Sequence, residues 1–130
     1  MSRTESSSAP PASAPLLPRS VYLDCLGFDL HITEWGDPSA PAVICWHGLA
    51  RTGRDFDDLA RHLAPHWRVI CPDTIGRGWS QWSSEPDRDY RFAVYANIAH
   101  AMMQGLHIER AHWVGTSMGG AIGMVCAAGL

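Results

Sequence analysis

Ser117 stands between Gly115 and Gly119 in the stretch WVGTSMGG, residues 113–120, in the pattern G-x-S-x-G. A serine hydroxyl is a weak nucleophile until a base takes its proton and an acid orients that base, so the pattern matters only if the fold gives Ser117 an unusual position. The flanking residues supply a reason for one. The residues through Val114 read as a short strand and the small residues after Ser117 as a helix, which puts the serine at a sharp turn with its hydroxyl projecting from the sheet's carboxyl edge. Gly115 and Gly119 remove side chains that would collide where strand and helix approach, and Gly120 and Ala121 continue the small surface. A helix starting there aims free N–H groups and its positive dipole end at the site, where a developing oxyanion would be stabilised. The same pattern can also arise by chance at a glycine-rich helix start.

Two further segments weigh against chance. WHGLART places His47-Gly48 at the end of an apolar run, where the backbone N–H of Leu49 can face the same site. CPDTIGRGWS places Asp73, Gly76, Gly78 and Ser80 after the neighbouring strand. Among the histidines, His47 is the nearest candidate base because it ends a strand beside the turn. His100, His107 and His112 lie on or after the helix that precedes the Ser117 strand, which puts them at the opposite, amino end of the sheet. His62 and His66 form an i, i+4 pair, but Pro65 interrupts the turn and no third ligand has suitable spacing, so solvated helix-end residues are expected and no metal site. IGRGWS holds a lone G-x-G that opens no helix, and no lysine-bearing phosphate loop exists, so no cofactor is expected.

The elements that must position these groups alternate in type. VYLDCLGFDLHITEWGD reads as a hairpin of half-buried strands, with Leu30, Ile32 and Phe28 on one face and Asp29, His31 and Thr33 on the other. DPSAP is a turn, and AVICWHG a strand covered on both faces. Thr52 with Asp55 resembles a capping box, and Phe56, Leu59, Ala60 and Leu63 recur with helical spacing, so a helix runs to about Pro65. WRVICPD is a second buried strand, followed by a long glycine-bearing loop. The next helix keeps Phe92, Tyr95, Ala99, Met102 and Leu106 on one face. AHWVGT is a strand and SMGGAIGMVCAAGL a helix. Strands and helices in alternation predict an α/β fold, a mostly parallel sheet with helices on both faces.

At 130 residues the chain is one domain at most, about half the size of many α/β enzymes. A net charge of -3 gives no basic field for nucleic acid, and no apolar run approaches a membrane span, so neither partner is expected. Cys25, Cys45, Cys71 and Cys126 contain no closely spaced pair and read as buried reduced thiols, and the lack of a membrane-length apolar run makes a soluble, cytoplasmic protein the expectation. Residues 1–20, rich in Ser, Ala and Pro, lack a signal peptide's apolar core and read as a disordered tail; residues 21–130 read as the folded part.

Taken together, His47-Gly48-Leu49, Asp73-x-x-Gly76-x-Gly78-x-Ser80 and Gly115-Thr116-Ser117-Met118-Gly119-Gly120 resemble the N-terminal half of an α/β-hydrolase fold protein of the serine-nucleophile type, over residues 21–130. The resemblance implies Ser117 as nucleophile and the backbone N–H groups of Met118 and Leu49 as oxyanion hole. His47, Gly48, Gly115 and Gly119 would support them, and Asp73, Gly76, Arg77 and Gly78 would shape a neighbouring loop. A serine rather than an aspartate at 117 disfavours the dehalogenase and epoxide-hydrolase branches. Hydrolysis of an ester, thioester, amide or carbon–carbon bond in a small molecule remains, with acyl transfer behind it. In this family the triad acid and base follow the serine on later strands, which these residues do not contain. The chain is therefore expected to be part of a longer hydrolase, with the C-terminal strands missing. The alternative is a truncated, catalytically inactive fragment or a binding or complementation half. Either way the Ser117 strand is expected to be an open edge through which the chain self-associates.

Overall fold

A computed structural model describes residues 17–129. The chain opens with strands β1 (Arg19–Cys25) and β2 (Phe28–Trp35), followed by β3 (Ala42–Trp46). A 3-10 turn (Gly53–Phe56) leads into helix α1 (Asp57–Leu63), then come β4 (Arg68–Pro72), the short α2 (Pro86–Asp89) and α3 (Phe92–Gly105). Strand β5 (Ala111–Gly115) and helix α4 (Met118–Ala128) complete it. β1 takes in Arg19 and Ser20, just before the expected boundary at residue 21, while residues 1–16 of the expected tail over 1–20 lie outside the described residues.

The sheet order is β1-β2-β4-β3-β5. β3 pairs in parallel with both β4 and β5, whereas the β1–β2 hairpin joins β4 antiparallel. From β3 the chain moves outward to β4 on one side and later returns to β5 on the other. The loops after β3 and β5 therefore part across a crevice at the sheet's carboxyl edge, the place where open α/β sheets bind ligands.

Alternation along the central strands sends side chains into two cores. Ile44, Trp46 and Ile70 face Tyr95, Ile98, Ala99 and Met102 of α3 and Met118 and Ile122 of α4. Val43, Cys45, Val69 and Cys71 face Phe56, Ala60 and Ala64 on the α1 side. Helices thus cover both faces, as the continuous apolar runs of β3 and β4 require. Cys25, Cys45 and Cys71 are buried and Cys126 half-buried, all as free thiols. Among the described residues no helix is long and apolar enough to cross a membrane.

Two local expectations are corrected. β2 is not half-exposed: His31, Thr33 and Glu34 are buried, because β2 lies inside the sheet between β1 and β4 and the loop after β4 covers the face that carries His31. The His31 N–H donates to Ser80 Oγ at 2.8 Å and Glu34 pairs with Arg68, whereas the buried Thr33 hydroxyl has no partner among the described residues. Thr52 does cap the 3-10 turn, its hydroxyl accepting from the Arg54 N–H at 3.3 Å, but Asp55 does not reciprocate. Its carboxylate instead takes the Arg51 guanidinium at 2.8 and 2.9 Å, since a guanidinium is the stronger donor.

Candidate active site

Three loops meet at the carboxyl edge, one after each parallel strand. Ser117 sits between β5 and α4 with φ 54° and ψ −113°, a backbone conformation that non-glycine residues rarely hold and that surrounding structure must enforce. The enforcement is steric. A Cβ on Gly119 would lie 2.0 Å from the Trp46 carbonyl oxygen, and one on Gly115 would lie 2.4 Å from the Gly120 nitrogen. With those side chains absent, α4 lies directly on β3 and β5, and the chain can enter it only through the sharp bend at Ser117. The Trp113 indole N–H fastens the bend further, donating to the Gly119 carbonyl at 2.9 Å while its ring stacks on Trp46 at 5.6 Å.

The loop after β3 runs beside this bend. A Cβ on Gly48 would lie 3.8 Å from Ser117 Cβ and 3.6 Å from the Thr116 carbonyl oxygen. Neither the Leu49 N–H nor the Met118 N–H, the first of helix α4, has an acceptor among the described residues. Two free donors therefore flank a serine at the positive end of a helix, a combination suited to anionic oxygen. Leu49, Phe92, Met118 and Ala121 surround Ser117 in an open pocket of about 410 Å³. Phe92, expected on the core face of α3, is instead 46 % exposed and lines this pocket, because it begins the helix just where the helix reaches the sheet edge. Its role had no signal in the helical periodicity.

His47 is fully buried behind the loop, and both ring nitrogens are engaged. The Thr74 N–H donates to Nε2 at 2.9 Å, which makes Nε2 an acceptor and leaves Nδ1–H to donate to the Gly48 carbonyl at 2.6 Å. Burial holds the imidazole below its usual pKa, against smaller opposing effects of the Gly48 hydrogen bond and Asp73. His47 is thus a neutral strut of the Gly48 loop with no lone pair left for Ser117. Thr74 completes the strut by accepting from the Trp46 indole N–H at 2.8 Å.

His112 pairs in register with Val43 near the start of β3, and exposed His100 and His107 lie on or after α3, so none approaches Ser117. His62 and His66 are exposed at the end of α1. Among the described residues no group of three His, Cys, Asp or Glu is placed to hold a metal ion, and no side chain hydrogen-bonds Ser117 Oγ.

The loop after β4 is built around Asp73. Its carboxylate accepts from the Gly53 N–H at 2.8 Å, the Trp79 N–H at 3.0 Å and His31 Nδ1–H at 2.9 Å. Arg77 connects this loop to the one bearing Leu49: its Nε donates to the Leu49 carbonyl at 2.9 Å, and its guanidinium lies 5.6 Å from the ring centroids of Tyr90 and Tyr95. The sequence marked Arg77 only as part of a shaped loop, since the tie crosses 28 residues.

The alpha/beta hydrolase fold model matches residues 41–128, which span all three loops. A 3-hydroxybutyrate-oligomer hydrolase of Cupriavidus necator is 44% identical over 112 residues, covering 82% of this chain and 38% of that protein. Lipase LipV of Mycobacterium tuberculosis is 36% identical over 101 residues, covering 77% of this chain and 36% of that one. Among solved structures, an alpha/beta hydrolase from Novosphingobium aromaticivorans superposes with a TM-score of 0.81 at 38% identity, covering 89% of this chain and 41% of its own. The chain spans less than half the length of each of these relatives.

Proposed function

The chain belongs to the alpha/beta hydrolase fold family, and we propose that it carries the nucleophile and oxyanion hole of a serine hydrolase acting on a carboxylic ester. The observation that carries this reading is the strained backbone of Ser117 on a bend enforced by Gly115 and Gly119. In the proposed reaction Ser117 Oγ attacks the ester carbonyl, and the resulting oxyanion receives hydrogen bonds from the N–H groups of Leu49 and Met118. The carbonyl reforms as the alcohol leaves, giving an acyl-serine that water then hydrolyses. Leu49, Phe92, Met118 and Ala121 offer an apolar seat to the acyl or alcohol part. The names of the relatives, a 3-hydroxybutyrate-oligomer hydrolase and a lipase, favour an ester over a thioester, amide or carbon–carbon bond.

The base and its orienting acid are proposed to come from sequence beyond these residues, since the pocket around Ser117 holds no titratable side chain. That same observation supports a second reading, in which the 130-residue chain alone is inactive or a complementation half. The free, mostly buried cysteines fit a reducing, cytoplasmic setting. The test is Ser117→Ala in an active enzyme containing this segment. Hydrolysis of a small activated ester should fall by on the order of 10⁴-fold or more with the fold intact. Near-unchanged turnover would exclude Ser117.

A further inference from the structure

A second serine has the partners of a nucleophile. Ser20 Oγ lies 3.0 Å from His31 Nε2, and His31 Nδ1 lies 2.9 Å from Asp73 Oδ2. His31 and Asp73 are 3% and 1% exposed, while Ser20 is exposed on β1. Proton bookkeeping fixes the direction of the chain. Asp73 accepts from two backbone N–H groups as well as from His31, so it acts as a carboxylate and Nδ1 carries the imidazole proton. In the neutral tautomer that carries its proton on Nδ1, Nε2 is the acceptor and the Ser20 hydroxyl donates to it. This is the polarity in which a histidine oriented by a buried acid draws the proton from a serine.

The backbone adds a donor. Cys25 and Phe28 flank a two-residue turn with positive φ at Leu26 and Gly27, so they form a hydrogen-bonded pair, and alternation along the ladder makes Ser20 and Thr33 a non-hydrogen-bonded one. His31, of the same parity as Thr33, indeed directs its N–H to Ser80 and its C=O to the Asp73 N–H, away from β1. The Ser20 N–H correspondingly faces the side of β1 on which no described strand pairs, available to an oxyanion formed on its own side chain.

We propose that Ser20, His31 and Asp73 form a second, independent reactive-serine site, open to covalent modification by small electrophiles such as activated esters and phosphonyl fluorides. With a fluorophosphonate, Ser20 Oγ forms a bond to phosphorus, the phosphorus–fluorine bond breaks, fluoride leaves and the serine proton passes to His31 Nε2. Every group involved lies within this chain, and the proposal does not depend on Ser117. The test incubates the 130-residue chain with a fluorophosphonate probe at neutral pH and follows adducts residue by residue by peptide mass spectrometry. Ser20 should react at least about a hundred-fold faster than exposed Ser84, the lower end of what a positioned base contributes. In concentrated guanidinium that ratio should collapse to near unity, and His31→Gln should abolish the excess in the native chain. Equal rates for Ser20 and Ser84 in the native chain, or an excess that survives His31→Gln, would overturn the proposal. If His31→Gln does not fold, the native-to-denatured comparison decides alone.

Discussion

The Thr74 N–H donates to His47 Nε2 at 2.9 Å, and through that bond the loop after β4 holds the loop after β3 against Ser117. The bond exists only while His47 is neutral at Nε2. Burial lowers the His47 pKa from its usual value, so between that lowered value and the unfolded value of about 6.5 the unfolded chain binds more protons than the folded one. His47 therefore contributes stability that is fully present above about pH 6.5 and is lost as pH falls through its folded pKa. Denaturant melts of the wild type should weaken more between pH 7.5 and 5 than those of His47→Gln, which lacks the titration. Equal pH dependence of the two proteins would show that His47 is not held neutral.

Arg77 makes the second tie, from its guanidinium to the Leu49 carbonyl. If it positions the oxyanion loop, Arg77→Met in an active enzyme should lower kcat by about 10- to 100-fold while KM stays within about two-fold, the signature of an interaction felt mainly in the transition state. Arg77→Lys should recover little, because an ammonium cannot reproduce a planar guanidinium set against two tyrosine rings. An effect confined to KM would assign Arg77 to substrate binding instead.

Glycine substitutions should separate the enforced bend from mere helix composition. Gly119→Ala must push a methyl into the Trp46 carbonyl oxygen at 2.0 Å, so denaturation should report a loss of about 3 kcal/mol or more. Gly120→Ala meets its nearest atom at 3.4 Å and gains helix propensity, so it should be near neutral. Similar costs for both would mean that the bend is not sterically imposed.

β5 is an edge of the described sheet, with His112, Val114 and Gly115 exposed. Such an edge templates pairing with other chains, and Met124 on the neighbouring helix adds exposed apolar surface. Light scattering on the 130-residue chain should show self-association, reduced by Val114→Lys. A monodisperse monomer with cooperative unfolding would contradict this.

The bend was readable from residues 113–121 because its requirements are local: a glycine on each side and a strand passing into a helix. The burial of β2 was not. Whether His31 faces water depends on Asp73 and Ser80, over 40 residues away, and alternation within a strand cannot report which loop will cover it. Phe92 and Arg77 were placed on their elements correctly, but their proximity to Ser117 and Leu49 arises only where β3, β4 and β5 bring separate loops to one edge. Asp55 shows the same limit at short range, since its choice of Arg51 over the Thr52 cap is settled by competition between donors.

The central claim, that Ser117 is an activated nucleophile when a base is supplied, is tested most directly by mapping the fluorophosphonate adduct on Ser117. In an active enzyme containing this segment, Ser117 should be labelled stoichiometrically as ester hydrolysis disappears, whereas in the 130-residue chain, whose Ser117 pocket holds no titratable group, it should stay essentially unlabelled. Full loss of hydrolysis with Ser117 unmodified in the active enzyme, or rapid labelling of Ser117 in the 130-residue chain, would contradict the account.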